Sequence, residues 1–372
     1  MKPVNPFITR GYRGPEYFCD RKEETKKIIS ALTNERNVTL MAPRRYGKTG
    51  LIKNVFHDLP EDFATIYVDI YDTSNLKEFT ERLAGAVLGT LDSAADKFAS
   101  VFRRFFRSVR PKMTTDGSGS FTFSFSIDQN DAEATLSGIF DYLASKEKRI
   151  VIAIDEFQQI LDYPEKGTEA LLRSRIQFLE NTGFIFAGSR HHLMAEMFVS
   201  PRHPFYQSTD IMSLQAIDEK AYLQFAKGFF TSDDRAFSDK AFETLYRRFD
   251  GVTWYIQAVL NRIWSEGGEL ESENDVTQAI EALVDERALT FHDLMESQTG
   301  TGKALLSAIA REKVVKEITA SAFLRRNSLS APSSVRTALD GLIKADLVYH
   351  SADGYLVYDR LLGEYLRNRQ VR

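Results

Sequence analysis

Cysteine is nearly absent: Cys19 is the single one in 372 residues. One thiol excludes an internal disulfide framework and a cysteine-rich zinc site. Histidine is scarce too, with six residues, and the adjacent His191 and His192 lack the i, i+4 spacing of a helical metal pair. No apolar run approaches the roughly 18 residues of a membrane span. Met1 to Arg10 lacks the apolar core of a signal peptide. A soluble cytoplasmic protein with no membrane contact is the expectation. Gly (21) and Pro (10) stay below the levels of collagen-like or low-complexity chains, and no internal repeat is found. Neither sign of charge dominates, with 48 Lys+Arg against 52 Asp+Glu.

What is present suits a globular chain. Apolar residues make up 43%, and at about 150 residues per domain the length predicts two to three domains. Charge is uneven: residues 301–372 hold 12 Lys+Arg and 7 Asp+Glu. A mildly basic C-terminal module on an acidic body follows.

Short apolar runs alternate with helical periodicity. Asn37–Met41, Ala64–Ile70, Arg149–Ile154 and Gly183–Ala187 read as buried strands, and Asp210–Ile217 as a fifth. Asp20 is placed to cap a helix bearing Ile28, Ile29 and Leu32. Leu76–Leu91 and Gly50–His57 also read as helices. The pattern predicts a parallel α/β sheet covered on both faces. An insertion at about 92–130 interrupts it, with a hairpin signal at Phe121–Phe125 after a Gly117–Ser120 turn. From 218 to 299 the pattern is helical, broken at Asp250-Gly251.

Three segments carry chemistry. Met41-Ala-Pro-Arg-Arg-Tyr-Gly-Lys-Thr49 follows a strand and opens a helix. It fits the phosphate-loop pattern G-x-x-x-x-G-K-[ST], with Ala42 in place of the first glycine. Ala42, Pro43, Arg44, Arg45, Tyr46, Gly47 and Gly50 are expected around a phosphate, all but Pro43 with a backbone N–H to offer. Lys48 reaches the phosphates and Thr49 binds Mg²⁺. Second, Ile150–Ile154 ends in Asp155-Glu156, where open α/β sheets bind ligands. Asp155 is assigned to the metal and Glu156 to the attacking water. Third, Gly188-Ser189-Arg190 ends the next strand, and Ser189 or Arg190 can meet the γ-phosphate. Gly300-Thr-Gly-Lys-Ala304 imitates a phosphate loop, but no strand precedes it and it reads as a helix start.

With these residues in place the sequence resembles the archaeal-type ATPases of the AAA+/STAND assemblage, relatives of the origin-recognition initiator ATPases, over nearly the whole chain. Asn5-Pro-Phe7 and Phe18-Cys-Asp-Arg-Lys-Glu-Glu24 are similar to that family's entry box. Ala42–Thr49 resembles its G-P-R-R-x-G-K-T, Asp155-Glu-Phe-Gln158 its D-E-x-Q, and Gly188-Ser-Arg190 its sensor arginine. The resemblance implies a P-loop NTPase of the ASCE/AAA+ type with a helical lid and a C-terminal winged helix. The expected division is 1–217 for the ATPase core, 218–299 for the lid and 300–372 for the winged helix. ATP and Mg²⁺ are the implied cofactors, hydrolysis to ADP and phosphate the implied reaction, and a homo-oligomer an implied assembly. The lid departs from the family at Gly251-Val-Thr253, where threonine replaces proline. Arg262 stands too far along its helix to sense nucleotide. Relatives carry an arginine soon after a P-[LF]-Y segment, but Gln207 follows Pro204-Phe-Tyr206 here, so a trans-acting arginine finger is left unassigned, with Arg202 a candidate substitute.

The last segment reads as three helices and a hairpin, the pattern of a winged helix. Val335, Ala338, Leu339, Leu342 and Ile343 form the apolar face of the third helix. Its other face offers Ser333, Ser334, Arg336 and Thr337 to DNA, with Arg325 and Arg326 near phosphates. Winged helices also dock proteins, and the charge does not choose. A basic-aromatic stretch, Phe102–Lys112, reads as a helix with Arg103, Arg107 and Arg110 on one side. It suits a solvated face, DNA or an acidic neighbouring subunit. Two functions therefore stand side by side: a DNA-stimulated motor or loader, and a signalling switch whose winged helix holds a protein.

Overall fold

The computed structural model describes residues 4–91, 110–115, 121–351 and 353–368, with backbone alone at 110–115 and 121–126. The chain divides into two compact units, Arg10–Ile217 and Asp218–Arg372 with Met1–Thr9.

The first unit is built on β1 (Val38–Met41), β2 (Phe63–Asp69), β3 (Arg110–Thr115), β4 (Phe121–Ser126), β5 (Arg149–Asp155), β6 (Thr182–Gly188) and β7 (Asp210–Ser213). Five of these form one parallel sheet in the order β2-β5-β6-β1-β7. Because β6 lies between β1 and β5, its carboxyl end falls between the ends of those two strands. Met41 is in register with Gly188, and Ile154 with Phe186.

Alternation along the strands makes two cores. Leu40, Val151, Ala153, Ile185 and Ala187 pack with Leu51, Ile52 and Val55 of helix Lys48–Asp58 and Ile28 and Leu32 of helix Lys22–Thr33. Ile66, Val68, Ile150, Ile152, Ile154 and Phe186 pack instead with helices Leu76–Leu91 and Ala132–Ala144. Covering both faces is why Ile150–Ile154 of β5 are apolar without interruption.

Several expectations need correction. Asp20 does not cap the first helix: Arg21 occupies the N-cap in a left-handed conformation, without a side-chain bond. Arg21 is instead buried, donating to Gln215 O (2.6 Å) and pairing with Glu24 (2.8 Å). Strand β7 stops at Ser213 rather than Ile217, because its sheet partner β1 ends at Met41, the residue in register with Ser213. Arg110–Lys112 open strand β3 rather than closing a helix, since Pro111 has no N–H for a helical turn and β4 supplies antiparallel partners. The rest of the proposed basic helix, Phe102 to Val109, and the Gly117–Ser120 turn lie outside the described residues.

The second unit starts with helices Glu219–Ser232, Asp239–Arg248, Thr253–Ser265, Glu273–Asp285 and Ala288–Glu296. Asp250 and Gly251, both at positive φ, make the break foreseen between the second and third. Phe7 is fully buried among Phe229, Phe230 and Trp264, while Asn5 donates to Asn261 O (2.8 Å) and Asn261 to Phe7 O (2.6 Å). Half of the entry box thus belongs to this unit.

Helices Gly300–Glu312, Ser321–Arg326 and Pro332–Lys344 then precede hairpin β8 (Val348–Ser351) and β9 (Gly354–Val357). Thr299 caps the first of these helices, so Gly300–Ala304 is a helix start. Val335, Leu339 and Leu342 are buried as expected, but Ile343 is 36% exposed, one position past the packed stripe. A further helix, Arg360–Asn368, was not foreseen. Asp359 caps it through the Leu361 N–H (2.9 Å) and also accepts from Tyr255 OH (3.2 Å). Its Glu364, 1% exposed, takes two bonds of 2.7 Å from Arg248 and pairs with Arg367. Among the described residues no helix is long and apolar enough to cross a membrane.

Candidate active site

The loop from Ala42 to Gly47 joins β1 to helix Lys48–Asp58. Two of its residues hold positive φ, Arg45 at 71° and Gly47 at 91°. Ala42 does not, which explains why alanine serves where the pattern has glycine; it is 1% exposed and its N–H reaches Gly188 O (3.2 Å). Gly47 provides no side-chain cap to the helix. The first-turn N–H groups therefore point into the loop, as an anion site requires. Gly50 lies under the Phe18 ring, and Arg21 comes within 3.5 Å of Tyr46 O. The Phe18–Glu24 half of the entry box thus braces the phosphate loop from behind. Arg44 stacks over Tyr71 at 4.8 Å.

The structure brings the two motifs together. Thr49 Oγ1 donates to Asp155 Oδ2 (3.0 Å) across 106 residues of chain. Tyr67 OH donates to the same oxygen (2.7 Å), and the Glu156 N–H to Oδ1 (3.0 Å). Burial, then the Asp155 charge, lifts the Tyr67 phenol, so it stays a donor. One carboxylate beside one hydroxyl fits Mg²⁺, which typically uses one or two carboxylates and fills the rest with substrate phosphate and water.

Glu156 adopts a left-handed conformation (φ 58°) that turns β5 into the 3-10 segment Phe157–Asp162. Such strain in a non-glycine residue is typical of functional positions. Its Oε1 lies 3.5 Å from Lys48 Nζ, and both side chains are nearly buried. Ser189 Oγ (2.6 Å) and Gln158 Nε2 (2.7 Å) both donate to Oε2. Burial alone would raise this carboxyl; the Lys48 charge and the two donors outweigh it and hold Glu156 below the usual range.

Arg190, the third expected contributor, begins helix His191–Val199 and pairs with Asp162 at 3.3 Å. Both are partly exposed, so the pair is readily exchanged. Arg202 is an exposed turn residue. Arg262 is bound by Glu266 (2.7 Å) and Glu286 on its own unit. Tyr67 escaped the sequence reading because only the β2–β5 register brings it to Asp155.

On helix Pro332–Lys344, Ser333, Ser334, Arg336 and Thr337 are all exposed, with Asp340 and Ile343 on the open surface as well. Arg325 is exposed. Arg326 pairs with Glu312 through bonds of 2.9 and 2.7 Å, and its side chain is 61% exposed.

Residues 18–259 match the family described as "ATPase domain predominantly from Archaea", and residues 289–368 that described as "Probable winged helix domain". No curated protein matches the sequence. Among solved structures, the chain is similar to the Walker-type ATPase of Pyrococcus abyssi, with a TM-score of 0.65 at 17% identity over 97% of this chain and 99% of that one. It is also similar to the ORC2 protein of Aeropyrum pernix in its ADPNP–ADP complexes, with a TM-score of 0.60 at 15% identity over 99% and 98%. At such identities the two neighbours bear on the fold.

Proposed function

This chain belongs to the family of P-loop ATPase domains found predominantly in Archaea, and on that footing we propose that it binds ATP with Mg²⁺ and hydrolyses it slowly as a conformational switch. The bond between Thr49 and Asp155 carries the reading, because it joins the phosphate loop and the acid pair in one site. The Aeropyrum neighbour, solved with ADPNP and ADP, supports nucleotide as the ligand. Backbone N–H groups of the loop and Lys48 hold the phosphates. Thr49 and Asp155 hold Mg²⁺, which when bound neutralises charge building on the γ-phosphoryl group. Glu156 takes a proton from the attacking water. Arg190 leaves Asp162 to meet the γ-phosphate, and the end of β6 reports the state of the nucleotide.

The winged helix is the output surface. Exposed Arg325 and Arg336 beside Ser333, Ser334 and Thr337 favour phosphate and base contacts in DNA. Exposed Ile343 and Asp340 on the same helix favour a second reading, docking of a protein. ATP hydrolysis measured with and without duplex DNA, in wild type and Arg336→Ala, separates them. DNA stimulation and salt-sensitive binding, both weakened in the variant, identify a DNA-linked ATPase. A rate indifferent to DNA, with nucleotide-dependent self-association, identifies a protein-docking switch.

A further inference from the structure

Gln158 has no assigned task, yet it is 2% exposed and its amide points into the site. Nε2 donates to Glu156 Oε2 at 2.7 Å, and Oε1 is buried without a partner. The amide cannot be reversed, since that would set two acceptors face to face. The unpaired Oε1 lies against the end of β6, where a Cβ on Gly188 would come within 2.4 Å of it. Glycine at 188 therefore leaves room both for the Gln158 amide and for Met194, whose Cγ and Sδ a Cβ would also meet. Ser189, the next residue, supplies the second donor to the same Glu156 oxygen at 2.6 Å. Leaving a buried carbonyl unsatisfied is costly. The arrangement persists because the left-handed turn at Glu156 and the bare backbone at Gly188 impose it.

We propose that Gln158 is a positioning residue for hydrolysis: with Ser189 it pins one oxygen of Glu156, so that the other, facing Lys48, receives the water proton. The inference rests on reading Glu156 as the base. In the step, a water proton passes to Glu156 Oε1 while the water oxygen bonds to the γ-phosphorus. The bond from that phosphorus to the bridging oxygen breaks, and ADP leaves with the electron pair. Lys48 Nζ lies 3.5 Å from Oε1. Once Lys48 turns to the phosphates, Oε1 is open, while Gln158 and Ser189 keep the carboxylate from rotating after it.

The test measures kcat and KM for MgATP on the full chain in wild type, Glu156→Gln, Gln158→Met and Gln158→Asn. Affinity for a non-hydrolysable ATP analogue and the melting temperature are measured beside them. Methionine keeps the volume without the donor; asparagine keeps the amide but is too short to reach Glu156. In both, kcat is expected to fall about ten- to a hundred-fold, the scale of a misplaced catalytic group. KM and analogue affinity should stay near wild type, and melting should fall by no more than the few degrees of one lost hydrogen bond to a buried carboxylate. A wild-type kcat in both variants overturns the proposal. So does a loss of analogue binding or of folding that matches the loss of rate, which marks a merely structural residue. Continued hydrolysis by Glu156→Gln would instead overturn the assignment of the base. A dead Glu156→Gln beside fully active Gln158 variants leaves the base standing and removes only Gln158.

Discussion

Replacing Thr49 by valine removes one hydroxyl and keeps the shape. That hydroxyl donates to Asp155 at 3.0 Å, and Asp155 is 4% exposed. A hydrogen bond to a charged group contributes about 1.5–3 kcal/mol. Asp155 keeps Tyr67 OH at 2.7 Å and the Glu156 N–H at 3.0 Å, so the lower end applies. For a unit of this size, about 1.5 kcal/mol lowers the melting temperature by about 3–6 °C. The decisive readout is the response to ligand. ATP at about 100 times its Kd stabilises by about 2.7 kcal/mol, and in wild type Mg²⁺ is expected to enlarge the shift beyond that seen with ATP in chelator. In Thr49→Val the ATP shift should be the same with and without Mg²⁺, as followed by thermal melting. A variant that keeps the full Mg²⁺ increment would refute the metal assignment. One that melts above wild type without ligand would refute the bond to Asp155.

Other perturbations probe separate links. Ala42→Gly should lower stability by about 0.5–1 kcal/mol through unfolded-state entropy and leave ATP affinity unchanged, because Ala42 holds no positive φ; titration calorimetry and denaturant melts check both. Arg190→Ala should change stability by less than about 0.5 kcal/mol, since its pair with Asp162 is partly exposed, yet lower kcat severalfold in steady-state assays. Arg248→Ala should destabilise the second unit by about 2 kcal/mol, less than the 3–5 typical of a broken buried pair, because Arg248 is 39% exposed and Arg367 remains beside Glu364. Burial works against the Glu364 charge, but Arg248 and Arg367 outweigh it and hold the carboxyl below its usual value. Its contribution is therefore complete above the unfolded value near pH 4.3 and is lost as pH falls through the lower folded value. Denaturant melts between pH 6 and pH 3 should show a steeper acid decline in wild type than in Arg248→Ala.

The parts of the site that lie within one stretch of chain were legible from the residues. Gly47-Lys-Thr49 after a strand and Asp155-Glu156 at the end of another have their chemistry written locally, and the apolar runs of β1, β5 and β6 gave the sheet. What joins them was not. Tyr67 reaches Asp155 only because Tyr67 and Ala153 are in register. Arg21 stands in the stretch that resembles an entry box, yet its guanidinium serves a carbonyl 194 residues away. Gln158 stood in a quoted motif, but its role depends on the missing side chain at Gly188. The helix Arg360–Asn368 was overlooked because its start is set by an Asp359 cap that Tyr255 also holds, from a helix about a hundred residues earlier.

Phosphate release from ATP by wild type and Glu156→Gln, each with Mg²⁺ and with chelator, tests the central claim most directly. Wild type should release phosphate only with Mg²⁺, while Glu156→Gln should bind ATP as tightly and release almost none. Equal release by the two proteins, or release by wild type that persists in chelator, would contradict the account.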